Sequence, residues 1–208
     1  MAATEVTVGG GIPVRLFRLS FSGELAYEMA RPASYGDAAM RALMRAGAPH
    51  GITPYSTEAL SVMRIEKGHV AGNEIDGRTT AADLGLGRMM SMQKDYLGRL
   101  MKERPGLIDP DRPVLAGFRP VDRSAHLRAG AHFLALGASP SLAADEGHMS
   151  SVAYSPSLGH WIGLGLIRRG SQRHGERVRA YDPVRGEDIE VEIGTPCHLD
   201  LNGEKLRG

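Results

Sequence analysis

The chain has 208 residues, 42% apolar and 24% charged, with 25 Lys and Arg against 24 Asp and Glu. That is enough to bury a core and to form one or two domains, and the charge is too even for a basic nucleic-acid binder or an acidic disordered tail. The single cysteine, Cys197, cannot close an internal disulfide, which points to a reducing, cytoplasmic setting or to indifference to redox.

Met1 to Gly11 contains no basic stretch leading into an apolar run, so no signal peptide is expected. Nowhere do about 18 apolar residues follow one another, so no membrane span is expected either. Abundant Gly and Pro, 27 and 12 residues, with only 5% aromatics, predict turn-rich β structure.

Val14 to Phe21 carries branched and aromatic residues on both faces and reads as a strand covered on two sides. Ser22-Gly23 breaks it, and Leu25 to Ala30 reads as a second short strand. After Pro32 a helix runs to Arg45, with Ala39, Met40, Leu43 and Met44 on one face and Arg41 and Arg45 opposite; Gly47 and Pro49 stop it. A second helix is expected after Ser56, a good N-cap, with Glu58 in its first turn and its end before Gly68. Its apolar stripe Ala59, Val62, Met63 ends in a carboxylate, Glu66. A third, short helix is expected over Tyr96 to Glu103, capped by Asp95 and ended by Pro105.

Asp109 to Pro113 reads as a linker, and the sequence beyond it is β-like and punctuated by glycine. Strands are expected over Val114 to Phe118, Met149 to Tyr154, Trp161 to Leu166, Glu176 to Tyr181 and Ile189 to Ile193, forming a small barrel or sandwich. The expected division is an α+β region over 1–108 and a β-rich domain over 109–208.

Spacing argues against several chemistries. The eight histidines are scattered singly, and there is neither an H-E-x-x-H helix nor a cysteine pair, so no metal site is expected. No G-x-S-x-G elbow occurs, and Cys197 beside Pro196 reads as an ordinary thiol. Gly9-Gly10-Gly11 precedes a strand instead of opening a helix, so it is no phosphate or dinucleotide loop.

Two places stand out. In Phe21-Ser22-Gly23-Glu24 a carboxylate rides on a glycine turn, where its two oxygens can accept a pair of N–H groups such as those of a guanidinium or a 2-amino-4-oxopteridine; a solvated hairpin glutamate is the plain alternative. In Met63 to His69, Arg64 and Lys67 emerge from a helix end beside Glu66. There Arg64 can fork onto a carboxylate or ring carbonyl with Glu66 holding Arg64 or Lys67 in place, or the three form an ordinary helix-end salt bridge.

Taken in order, these segments resemble a known family. Phe21-Ser22-Gly23-Glu24-Leu25-Ala26-Tyr27-Glu28 resembles the Y-T-G-E-x-G-x-E signature of the aminomethyltransferase, or glycine-cleavage T-protein, superfamily. Leu60 to Gly68 resembles its S-L-R-L-E-x-G helix, and Asp95-Tyr96-Leu97-Gly98-Arg99 its K-x-D-F-I-G-R segment. Gly147 to Ser151 with Ser155 to Leu158 resembles its G-x-V-T-S…S-P-x-L element. Within the superfamily, Arg64 to Gly72, Asp76 to Thr80 and Asp83 to Gly87 are similar to the C-terminal part of heterotetrameric sarcosine oxidase α subunits, with dimethylglycine and sarcosine dehydrogenases more distant.

The resemblance implies an α+β fold, the second half of a folate-binding α+β domain followed by a small C-terminal β-barrel or sandwich. It implies tetrahydrofolate as ligand, with Glu24 as the acid on the pterin N–H groups, Arg64 as the arginine of the folate-binding helix and Phe21 in place of a frequent tyrosine, keeping the aromatic face but not the hydroxyl. The activity implied is oxidative demethylation of sarcosine with capture of the one-carbon unit as 5,10-methylenetetrahydrofolate. Flavin and NAD would be held elsewhere in the parent complex, and the partners would be its other subunits and a missing upstream part of the same subunit. That part carries half of the folate domain and the family's catalytic aspartate, so the chain reads as a piece of a longer protein, inactive alone, and no catalytic residue is assigned within it. A glycine-cleavage aminomethyltransferase and a non-catalytic folate-dependent assembly module are the alternatives.

Overall fold

The computed structural model describes residues 2–207, which form two compact units. The first takes the chain up to Met63 together with the tail from Asn202, and the second runs from Arg64 to Leu201.

In the first unit β1 (Ala3–Val8), β2 (Ile12–Phe17) and β3 (Glu28–Ala30) form an antiparallel sheet in that order. The β1–β2 hairpin turns through Gly9-Gly10-Gly11, all at positive φ, which a side chain would resist. Alternation puts Ile12 and Val14 on one face of β2, where they bury with Ala39 of α1 (Gly36–Gly47), flanked by Val8 and Met29. Helix α1 has an exposed polar face laced by the Asp37–Arg41 pair. Helix α2 (Thr57–Lys67) begins where Ser56 Oγ accepts the Ala59 N–H at 3.3 Å, and its last turn, from Arg64, belongs to the second unit.

The second unit is built on a closed antiparallel barrel in the order β4-β7-β6-β5-β8-β9. Its strands are β4 (Pro113–Pro120), β5 (His132–Leu134), β6 (Gly147–Ser155), β7 (His160–Arg168), β8 (Arg177–Asp182) and β9 (Glu187–Gly194). Closure leaves no open sheet edge. Phe118 and Phe133 stack inside with centroids 4.1 Å apart, among Met149, Ile167, Val178, Val191 and Ile193. Gly165 on β7 makes room for them, since a Cβ there would lie 2.9 Å from the Phe133 ring and 2.7 Å from the His148 carbonyl oxygen.

The expected α+β class and C-terminal barrel are present, with differences that have local causes. The strand expected over Val14 to Phe21 is β2, Ile12–Phe17, and β3 is only Glu28–Ala30, because the intervening stretch forms a loop tied to Arg18. The helix expected over Tyr96 to Glu103 is absent: Gly98 sits at φ 87°, and only short 3-10 turns form at Met101–Glu103 and Pro105–Leu107. Strands β1 and β5 had no counterpart in the sequence reading.

Candidate functional site

In the first unit the turn carrying Glu24 is held from both sides. Arg18 donates from one nitrogen to the Ala26 carbonyl at 3.1 Å and from another to the Leu206 carbonyl at 2.5 Å, and lies over the Tyr27 ring, 5.4 Å from its centroid. Gly23, buried and at φ 87°, donates its N–H to Ser20 Oγ at 3.0 Å. This places Glu24 outward: its side chain is 53% exposed, and Lys205 Nζ lies 3.6 Å from Oε1. Phe21, Leu25 and Tyr27 are exposed around it, at 39%, 48% and 58%. An outward carboxylate among three exposed large side chains is an acceptor pair next to flat apolar surface, which suits a planar ligand with paired donors. Phe21 and Glu24 thus share one loop.

Arg64 belongs to the second unit and is engaged there. It is 5% exposed, donates through Nη1 to Glu74 Oε2 at 3.0 Å and to the His69 carbonyl at 3.2 Å, and through Nη2 to Ser151 Oγ at 2.8 Å. Glu74 has no exposed surface and also accepts from Ser150 Oγ at 2.6 Å, Ser151 Oγ at 2.5 Å and the Ala71 N–H at 2.8 Å. Burial pushes the Glu74 carboxyl up, but the two serine hydroxyls, the Ala71 amide and the Arg64 charge together outweigh it and hold it below the usual glutamate range.

The expected partnerships at the helix end are therefore reassigned. Glu66 holds neither Arg64 nor Lys67: it accepts from Ser155 Oγ at 2.5 Å, and its carbonyl takes the N–H groups of His198 and Leu199. Lys67 pairs instead with Asp200, Nζ to Oδ2 at 3.2 Å. Two residues apart on a helix, Arg64 and Glu66 point to different sides, and that spacing rule was the available signal. Glu74, ten residues beyond Arg64, was missed because nothing in a loop sequence marks a buried acid. Cys197 is half-buried, and burial raises its thiol above the ordinary range, in keeping with an unreactive sulfur. Among the described residues no three His, Cys, Asp or Glu side chains are grouped to hold a metal, and no helix is long and apolar enough to cross a membrane.

This architecture matches two family models, the GCVT N-terminal domain over residues 1–94 and the glycine cleavage T-protein C-terminal barrel domain over residues 114–200. The chain belongs to the glycine-cleavage T-protein family. Among curated relatives it is 49% identical to sarcosine oxidase subunit alpha of Rhizobium meliloti (strain 1021), over 99% of this chain and 21% of that protein. The corresponding subunit of Corynebacterium sp. (strain U-96) is 37% identical over 100% of the chain and 22% of its own length. An aminomethyltransferase of Saccharopolyspora erythraea is 29% identical over 88% of the chain and 48% of its length. The chain thus spans about a fifth of the sarcosine oxidase subunits it matches. The crystal structure of glycine cleavage system aminomethyltransferase T from Bartonella henselae superposes with a TM-score of 0.69 at 19% identity, over 90% of this chain and 50% of that one, a likeness of fold.

Proposed function

We propose that this chain is the tetrahydrofolate-binding C-terminal portion of a sarcosine oxidase α subunit. What supports the reading is the alignment with sarcosine oxidase α subunits over all or nearly all of the chain, together with an accessible Glu24 carboxylate on the Gly23 turn and exposed Phe21, Leu25 and Tyr27 nearby in the sequence. An ionised carboxylate matches the paired N–H groups of a reduced pterin, and the aromatic neighbours match its flat face. Bound there, tetrahydrofolate would take up the one-carbon unit released by oxidation of sarcosine at a flavin elsewhere in the complex, giving 5,10-methylenetetrahydrofolate. This chain's part is positioning. Glu24 orients the pterin, Phe21 covers one face, and Arg64, bonded to Glu74, Ser151 and the His69 carbonyl, fixes the turn after α2.

The relatives favour this reading over an aminomethyltransferase, since the sarcosine oxidase subunits align over all or nearly all of the chain at 49% and 37% identity, against 29% for the aminomethyltransferase above. Calorimetry of tetrahydrofolate binding to the full polypeptide that carries this segment tests it. Glu24→Ala strands two pterin donors and is expected to cost about 2 to 4 kcal/mol of affinity, with Glu24→Gln recovering part. Equal affinities for wild type and Glu24→Ala would remove Glu24 from the site.

A further inference from the structure

On the outside of the barrel, the register of β5, β6 and β7 brings a distinct set of side chains to one face. His148 of β6 lies opposite Leu166 of β7 and opposite His132 of β5. Arg168, two residues beyond Leu166, falls on the same face, diagonal to His148. The segment from Asp76 to Thr79 and the start of β4 wall off this face, leaving a cleft of about 310 Å³ whose lining includes Arg78, Arg112, His148 and Arg168 together with the carboxylates of Asp76, Asp145 and Glu146. The walls are fixed by Arg112, which donates to the Arg78 carbonyl and to Asp83 Oδ2, both at 2.6 Å.

Nearly every charge around this cleft already has a partner. Asp76 holds Arg78 at 2.6 Å, Asp83 holds Arg112 at 2.6 Å, and Glu146 lies 2.9 Å from Arg173. Asp145 accepts the Gly147 N–H at 3.0 Å and sits 3.1 Å from His132 Nδ1. Among the described residues, the Arg168 guanidinium has no hydrogen bond or ion pair, and the half-buried His148 ring has no hydrogen bond. Arg78 spends Nε and Nη2 on Asp76, so its Nη1 is not used by that pair.

From this arrangement we propose that the cleft is a binding site for the carboxylate of a small organic acid, taken by the Arg168 fork with His148 and Arg78 Nη1 beside it and the acid's short apolar part against Leu166 and Pro113. Arg78 and Arg112 each face an aspartate while Arg168 faces none, and a guanidinium meets a carboxylate through two parallel hydrogen bonds. Burial, then the nearby charges of Arg78 and His132, hold His148 below its usual titration range against the opposing pull of Asp145 and Asp76. Burial is the largest of these influences, and the uncharged ring still carries one N–H that can donate to a bound oxygen. The site is independent of the folate reading, because no residue in it belongs to the Glu24 loop.

The experiment uses the whole chain and NMR of the His148 ring, assigned with His148→Asn, titrated with butyrate and with inorganic phosphate at constant ionic strength. The expected result is a saturable shift of the His148 ring resonances with butyrate. Affinity should fall at least about tenfold in Arg168→Gln and be partly kept in Arg168→Lys. Arg168 is exposed, so its substitution leaves the core intact. No saturable shift, equal affinity in Arg168→Gln, or phosphate binding as tightly as butyrate overturns the assignment.

Discussion

Replacing Glu74 by alanine removes the acceptor around which the second unit's buried polar groups converge. Four donors end on this carboxylate: Arg64 Nη1 at 3.0 Å, Ser150 Oγ at 2.6 Å, Ser151 Oγ at 2.5 Å and the Ala71 N–H at 2.8 Å. The serines have fallbacks, since Ser150 Oγ also reaches the Leu164 carbonyl at 3.0 Å and Ser151 Oγ still accepts from Arg64. The guanidinium keeps the His69 carbonyl and Ser151 Oγ but loses its counter-charge, so the loss is dominated by an unpaired charge in a site that is 5% exposed. Breaking a buried pair from one side costs about 3 to 5 kcal/mol, a large part of the roughly 5 to 15 kcal/mol that holds a domain together. Glu74→Gln keeps one acceptor oxygen and should cost about half as much. Arg64→Met combined with Glu74→Leu should cost well below the sum of the single changes, because neither charge is then stranded. Urea unfolding followed by the fluorescence of Trp161, the chain's single tryptophan and part of β7, reads the second unit directly. A loss under about 1 kcal/mol for Glu74→Ala, or a double variant as unstable as the sum, would refute the reasoning. The folded Glu74 carboxyl titrates below its unfolded value of about 4.3, so its stabilisation is intact above that pH and disappears as pH falls through the folded value.

Other outcomes follow from single residues. The Tyr96 hydroxyl is buried without a hydrogen-bond partner among the described residues, so Tyr96→Phe, which restores the phenylalanine of the family's D-F-I-G pattern, should raise stability by about 1 kcal/mol in the same urea assay. Gly68 ends α2 at φ 78°, and a Cβ there would lie 2.6 Å from the Pro196 carbonyl oxygen. Gly68→Ala should therefore cost about 2 to 4 kcal/mol, more than the left-handed conformation alone, and thermal unfolding checks it. Burial first, then Arg119 and His160, push the His198 imidazole down to about 4 despite its contact with the Gly163 carbonyl. Between that value and the unfolded one near 6.5 the unfolded chain binds more protons, so stability should fall by about 3 kcal/mol as pH drops through this window. His198→Gln should flatten that slope, and stability curves measured from pH 7 to 4 decide.

Strong local patterns were legible. The strands rich in Val, Ile, Leu and Trp after residue 113, the amphipathic α1 and the Ser56 cap of α2 all appear close to where their residues put them. The β1 hairpin is harder to see because Gly9-Gly10-Gly11 brings a phosphate loop to mind first, although three glycines between two β-prone runs also make a turn. Strand β5 is three residues long and defined by its neighbours, so no periodicity exists to find. The Glu24 turn was legible because its glycine and its acid act locally. The bonds from Glu74 to Ser150 and Ser151 and from Glu66 to Ser155 join positions more than seventy residues apart, and no local rule reaches that far.

Those same long-range bonds bear on where this polypeptide can be cut. The acids that satisfy the hydroxyls of Ser150, Ser151 and Ser155 on β6 come from positions 66 and 74, well before the match to the barrel family begins at residue 114. A piece expressed from that border would take the acceptors from the Ser151 and Ser155 hydroxyls, leave Ser150 only the Leu164 carbonyl, and lose the clasp by which His198 and Leu199 grip the Glu66 carbonyl. The smallest autonomous barrel thus starts near Arg64, inside a helix, and recombination or engineering that respects the domain names alone would divide a single cooperative body.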